Sequence, residues 1–359
     1  AFALAVFISS ACGMVMEIVA GRLIAPYVGM SLYTWTAIIA VVLSGFSAGH
    51  WIGGHLAPLE SDIKTGSRRV AVALALASVS SLASLVLLRV VSEKILSSGI
   101  GAIPSIVVLS SLLFFLPSLF VGIVSPVVTK LAIDAGPLGP GRIIGRMFAL
   151  GALGSILGTL LAGYLFISWI GSTGTVLIVV GVYGLLALAF VIGLRTGGLL
   201  SILIIVGVVG GGLGGWGLAV RAFQSPCNVE SDYFCIRIAD FSGESRRESA
   251  MMILDHLVHS INDAKKPGLL YSPYIHFIDE ITKFRFPSGK EPSAFFIGGG
   301  GYSLPRAWGH DYKAAKLTVA EIDPGVTKAA RDHLWLSPET PGLEIVHRDA
   351  RALLQSLPR

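Results

Sequence analysis

The sequence predicts a bundle of membrane-spanning α-helices followed by an α/β domain with a small β region at its start. Three observations carry this reading. Of 359 residues, 53% are hydrophobic and only 14% charged. The mean hydropathy of +0.75 is far above that of an ordinary soluble domain. The charges are also uneven: residues 1–220 hold long uncharged runs, whereas 221–359 have the mixed charge of a soluble fold, with the change near "VRAFQSPC". The predicted division is 1–220 for the bundle, 221–290 for the β region and a connecting helix, and 291–359 for the α/β layer.

A crossing helix needs about 20 mostly apolar residues. Seven stretches qualify: 2–25, 33–57, 70–91, 103–131, 144–168, 174–194 and 199–220. The first lacks a charged leader and a small-residue cleavage site and contains Glu17 and Arg22, so it is expected to be a span and not a removed signal. Pro117 and Pro126 predict a kink in the fourth, because each removes a backbone donor and crowds the preceding turn.

Three spans carry small residues at four-residue spacing: Gly45, Gly49 and Gly53; Gly154, Gly158 and Ala162; Gly207, Gly211 and Gly215. Such a stripe lets a neighbouring backbone approach closely. Packing within the chain is the preferred expectation, and a homo-oligomer or membrane complex through these faces is the other. Glu17, Arg22, His50 and His55 are the ionisable groups in or near spans. Such groups are costly in hydrocarbon and point to function by default, yet a structural polar lock is preferred here over an ion pathway.

The net charge of +5 and pI near 9.1 do not indicate nucleic acid, because no basic run is interleaved with aromatics. Basic residues in such a chain mark cytoplasmic loops. Lys64, Arg68 and Arg69, then Lys130, Arg142 and Arg146, then Arg195 all fall on one side, against Arg89 and Lys94 on the other. Seven spans with this bias predict a multi-pass plasma-membrane protein whose soluble half is extracytoplasmic. Cys227 and Cys235, close together in "CNVESDYFC", suit a small disulfide loop in an oxidising compartment, with two unrelated thiols as the alternative. Cys12 lies in a span.

In the soluble half, "YFCIRIAD" and "SAMMILDHLVHS" read as strands around a turn at "DFSGESRRE", and "SPYIHFIDEITKF" as a helix. "SAFFIGGGG" is a buried strand running into four glycines, followed by a helix through "SLPRAWGH". "KLTVAEIDPGVTKAARDHL" and "GLEIVHRDARALLQSL" repeat the strand, turn and helix. This alternation marks a doubly wound, Rossmann-like sheet. Glu321 stands at the end of the second strand, where an acid can accept from ribose hydroxyls, and Asp349 with Ala350 at the end of the third, where an acid can bond an adenine amine. An acid at a strand end is also often a helix N-cap. No metal-ligand spacing appears among the scattered histidines, and no serine or cysteine nucleophile motif is present.

With these motifs in view, the soluble half resembles the spermidine synthases, and the whole chain resembles their bacterial membrane-fused form. "LDHLVHS" stands for the family's "LDG…Q" strand, "IGGGG" for its "GGGD" loop, "AEID" for its ribose acid and "RDA" for its adenine acid; "GRMFALGALGSILGTLLAGYLF" is similar to a span of the fused form. The resemblance implies a domain of the S-adenosylmethionine-methyltransferase type. It implies no permanently bound cofactor, decarboxylated S-adenosylmethionine or a related nucleoside as substrate, and a nucleoside site at Gly298, Gly300, Glu321, Asp349 and Ala350. Departures lie on the polyamine side: the loop acid is Gly301, the strand glutamine is His259, and Tyr274 is followed by Ile275 where the family has histidine. The family's base is an aspartate on a fourth strand, and the sequence stops at "LLQSLPR" before such a strand, so no catalytic residue is assigned.

Two functions follow as expectations: a membrane-bound aminopropyltransferase-like enzyme, or a catalytically inactive membrane scaffold or binding protein with the transferase-like domain on the outer face. Topology separates them, since the family's donor is made in the cytosol. A transporter is a third expectation, weakened by the absence of a visible duplicated half.

Overall fold

The computed structural model describes residues 2–58, 62–136, 139–193, 202–286 and 291–356. The chain forms two compact units that meet between Ser225 and Pro226.

The first unit is helical. Its long helices are α1 (Phe2–Val28), α2 (Leu32–Leu56), α3 (Ile63–Leu96), α4 (Ala102–Ala135), α5 (Pro140–Leu161) and α6 (Ile167–Gly193), with a π-helical turn at Ala162–Phe166 joining the last two. Ser31 starts α2 by accepting from the Thr34 amide at 3.2 Å, and Asp62 starts α3 by accepting from Thr65 at 3.1 Å; such caps satisfy donors that a helix start leaves bare. α4 passes through Pro117 and Pro126 without leaving the helix.

Among the described residues five helices are long and apolar enough to cross a membrane, the fifth being the continuous run Pro140–Gly193. At about 1.5 Å per residue that run is about 80 Å long, more than twice a hydrocarbon core of about 30 Å. It breaks at Gly171, whose φ of 78° and ψ of 168° are not helical. The expected fifth and sixth spans therefore lie on the two arms of one bent element, because only glycine takes that backbone conformation without strain. The expected seventh is a shorter apolar helix, Ile204–Ala219. Arg195, and the chain from 194 to 201, lie outside the described residues.

Two of the three small-residue stripes are helix contacts within the chain. A Cβ built on Gly49 would stand 2.2 Å from the Leu119 carbonyl oxygen, and one on Gly53 would stand 2.7 Å from that of Ile123, so α2 lies backbone to backbone on α4. Cβ atoms on Gly154 and Gly158 would stand 2.2 Å from the carbonyl oxygens of Phe7 and Ala11, so α5 lies in the same way on α1. Gly207, Gly211 and Gly215 face open space among the described residues, so the packing expected for that stripe does not occur there. His50 is exposed and bonds back to the Phe46 carbonyl at 2.7 Å, as His55 does to Trp51 at 2.9 Å. Glu17 and Arg22 are half-buried on α1.

The second unit holds two sheets. Strands β1 (Val229–Glu230), β2 (Cys235–Asp240), β3 (Ser249–Leu254) and β4 (Leu257–Asp263) form an antiparallel sheet in that order. Strands β5 (Ser293–Ile297), β6 (Lys316–Ala320) and β7 (Leu343–Val346) form a parallel sheet with β6 in the centre. Helices Ser303–Asp311 and Pro324–His333 supply the crossovers, helix Pro273–Arg285 precedes β5, and helix Ala350–Ser356 follows β7. Ile236, Met252, Tyr302, Val319, Val326 and Leu334 form the shared core.

"SAMMILDHLVHS" is not one strand. It folds back at Asp255–His256 into β3 and β4, because Asp255 takes φ 53° and its carboxylate accepts from the Cys235 amide at 3.0 Å. Aspartate tolerates this conformation better than most residues and stabilises the turn through its side chain. Cys227 and Cys235 are disulfide-bonded, with Cα atoms 5.3 Å apart, and tie the segment before β1 to β2.

Candidate functional site: the glycine loop

The loop begins where β5 ends. Gly298 continues the ladder by donating to the Ala320 carbonyl at 2.9 Å, then turns at φ 82°; Gly300 has φ 51° and Tyr302 φ 57°. Two left-handed glycines in three residues are why this sequence needs its glycine run. Glu321, at the end of β6 and 5% exposed, holds the loop. Its Oε2 accepts from the Gly299 amide at 2.7 Å and its Oε1 from the Asp323 amide at 2.9 Å. Asp323 in turn caps helix Pro324–His333 through the Gly325 amide at 2.8 Å and accepts from the Ser231 hydroxyl at 2.5 Å.

Strand β4 grips the other side of the loop. Ser260 accepts from the Gly301 amide at 2.7 Å, and the Asn262 amide group donates to the carbonyls of Gly301 at 2.7 Å and Leu334 at 3.1 Å. The Ser303 hydroxyl donates to Asn262 Oδ1 at 2.5 Å. Sequence reading passed over both residues. Their signal was the polar alternation Ser260, Asn262 in a strand, which puts both on one face, where they are buried. Tyr302 lies fully buried under the loop, its hydroxyl 2.7 Å from Thr327 Oγ1, which is 3.0 Å from His347 Nε2. Burial pushes the Tyr302 phenol up to about 12.

A cleft of about 310 Å³ opens at the loop. Gly298, Gly299 and Gly300 form its floor with Ile297, and His259, Ser260, Tyr274 and Ser303 contribute its polar side chains. His259 Nδ1 lies 2.9 Å from the Leu257 carbonyl, so in the neutral ring Nδ1 carries the proton and Nε2 is left as an acceptor. Helix Pro273–Arg285, which carries the exposed Tyr274, is fixed to helix Ser303–Asp311 by the Trp308 indole donating to buried Asp279 at 2.9 Å. Lys283 pairs with the same carboxylate at 2.6 Å. The metal-binding atoms of His276, Asp279 and Glu280 converge within 4.8 Å. With Asp279 already engaged by Trp308 and Lys283, that group is a paired helix face.

Of the residues named from sequence, the structure thus brings Gly298, Gly300, His259 and Tyr274 into one cleft. Glu321 stands behind the loop. Asp349 is exposed and caps the last helix by accepting from the Ala352 amide at 2.9 Å, with Ala350 as that helix's first residue. Gly301 does not line the cleft, and a Cβ there would meet Ser260 Cβ at 2.5 Å, so a side chain at 301 is opposed by β4.

Beside the loop, Asp263 at the end of β4 is a buried charge centre. It pairs with Arg247 and accepts from the amides of Lys265 at 2.9 Å and Lys266 at 2.8 Å, while its backbone carbonyl takes a 2.8 Å bond from buried Arg306. Arg247 foremost, then the two amides, hold its carboxyl well below the usual range. A depressed carboxyl contributes stability that is complete above the unfolded value of about 4 and is lost as pH falls towards the folded value. The melting temperature of the second unit should therefore fall below about pH 4. In Asp263→Asn that dependence should flatten, at a cost of about 2 kcal/mol from weakened amide bonds. Thermal melts of both proteins across that range check this.

No family model matches the chain, and no curated protein matches it. Among solved structures it is similar to a probable spermidine synthase from Corynebacterium glutamicum ATCC 13032, at 19% identity and a TM-score of 0.33, over 37% of this chain. The aligned part spans about half of that protein, 48% of its chain.

Proposed function

We propose that this is a multi-pass membrane protein whose second unit is a spermidine synthase-like module that binds an adenosine-type nucleoside at the glycine loop without transferring an aminopropyl group. The observation that carries the reading is the cleft floor, where left-handed Gly298 and Gly300 expose backbone without side chains while no carboxylate lines the cleft among the described residues. Exposed backbone of this kind suits close approach of a nucleoside. Selecting a cationic amine needs an acid, and His259, Ser260, Tyr274 and Ser303 are all neutral or basic. Glu321 does not line the cleft and supports a ligand by holding the Gly299 amide, and with it the loop, in place. Counting the bent run at Gly171 as two crossings and Ile204–Ala219 as a last one gives seven, and the basic loops then put the second unit on the outer face.

Binding of 5′-methylthioadenosine and of decarboxylated S-adenosylmethionine to the purified full chain tests the ligand. The neutral compound should bind at least as tightly as the cation. A preference for the cation of about tenfold or more, about 1.4 kcal/mol, would restore aminopropyl transfer as the better reading, and binding of neither would remove the site. Gly301→Asp should lower stability without creating cation preference. For sidedness, a membrane-impermeant maleimide should label Cys227 and Cys235 in intact cells only after external reduction; labelling that requires opened cells reverses the orientation.

A further inference from the structure

The helical unit has an open groove where the end of α2, the start of α3 and α4 meet. Gly53 brings α2 onto the backbone of α4 at Ile123, yet a cavity of about 410 Å³ remains between these two helices and α3. Its long wall is apolar, formed by Val72, Leu76, Phe120 and Ile123, and one end carries Arg68 and Arg69. Val72 and Leu76 stand three to eight residues after the arginines on α3, so basic and apolar parts share one helix face.

Among the described residues the fold leaves most of the two guanidinium groups unused. Arg69 donates one N–H to the Leu56 carbonyl at 2.6 Å, an acceptor that the end of α2 leaves bare, and its other donors bond no described residue. Among the described residues Arg68 is exposed and has no carboxylate partner. The neighbouring Asp62 caps α3 through Thr65. Trp51, 70% exposed on the last turns of α2 with its ring centroid 4.7 Å from that of His55 and tilted by 60°, marks this end as the level of the membrane interface, where such rings settle.

A slot with two cations at the interface and hydrocarbon below matches one chemical class. We infer that this cavity binds an anionic phospholipid, its phosphate on Arg68 and Arg69 and an acyl chain along Val72, Leu76, Phe120 and Ile123. Basic pockets between spanning helices bind acidic headgroups because guanidinium pairs with phosphate through two parallel hydrogen bonds. The apolar wall offers nothing to a free anion, and a neutral headgroup has no net charge for the arginines. The site belongs to the helical unit and does not depend on the nucleoside reading.

The test is native mass spectrometry of the full chain in detergent, titrated with phosphatidylglycerol and with phosphatidylcholine of the same acyl chains. Each interfacial arginine contributes about fivefold, so the acidic lipid should be preferred by about 25-fold. Arg68→Gln, which leaves the Arg69 bond to Leu56 in place, should lower that preference about fivefold, and Arg68→Lys should keep most of it. Ala73→Leu, which fills the slot, should weaken both lipids. Equal binding of the two lipids, or an unchanged preference in Arg68→Gln, overturns the inference. Displacement of the lipid by an equal concentration of glycerol 3-phosphate also overturns it, leaving a simple anion site.

Discussion

Gly49→Ala is expected to destabilise the helical unit by about 3 kcal/mol, the upper end of what one added methyl group costs in a close-packed interior. The new Cβ would stand 2.2 Å from the Leu119 carbonyl oxygen and 2.8 Å from Gly122 Cα. Both are backbone atoms, so no side-chain rotation relieves the clash and α2 must move away from α4. The control lies on the same helix: Gly54 is exposed with nothing within 4 Å of its Cβ position, and Gly54→Ala should stabilise by up to about 1 kcal/mol through helix propensity alone. Thermal melts of the purified variants, read beside their monodisperse yield, check the opposite signs. A Gly49→Ala protein as stable as the parent would show that the α2–α4 contact is looser than its geometry requires.

Glu321→Ala should have the largest effect in the second unit, about 4 kcal/mol of stability and more than tenfold in nucleoside affinity. Its carboxylate is the acceptor for two amides, those of Gly299 and Asp323, in a place closed to water. Removing it strands both donors, and a stranded buried donor costs about 1–3 kcal/mol. The glycine loop and the cap of the following helix then loosen together, because Asp323 starts that helix. Glu321→Gln keeps one acceptor oxygen but turns an amide group towards the other donor, so it should fall between the two. Melting temperature and methylthioadenosine binding on the same samples read both quantities. Unchanged binding in a folded Glu321→Ala protein would show that the loop keeps its ligand-binding shape without this acid.

Much of the architecture was legible because hydrophobicity and periodicity are local. The apolar runs found α1 to α4 within a few residues, or a turn or two where the helices run on, and the strand–helix alternation after 291 found β5, β6 and β7. The misses came from backbone conformations that depend on a single residue. Gly171 bends one continuous element where two separate spans, 144–168 and 174–194, were expected, and Asp255 turns one apparent strand into a hairpin. The site was legible as a loop but not as a cleft. Ser260 and Asn262 are distant in sequence from the glycines they hold, and nothing around Gly301 announced that its missing side chain is filled by β4.

What the sequence by itself determined is the division of labour: an apolar helical half and a charged α/β half, each following from where its residues are stable, in hydrocarbon or in water. The tertiary structure alone decided what the small and polar residues do. It assigned two glycine stripes to contacts within the chain, put Glu321 behind the loop and Asp349 on a helix cap, and set Arg68 and Arg69 at the mouth of an apolar slot. The physical reason is reach. A side chain's preference for water or hydrocarbon is written in its own composition, whereas a hydrogen bond or a close backbone contact exists only once two distant segments share an address.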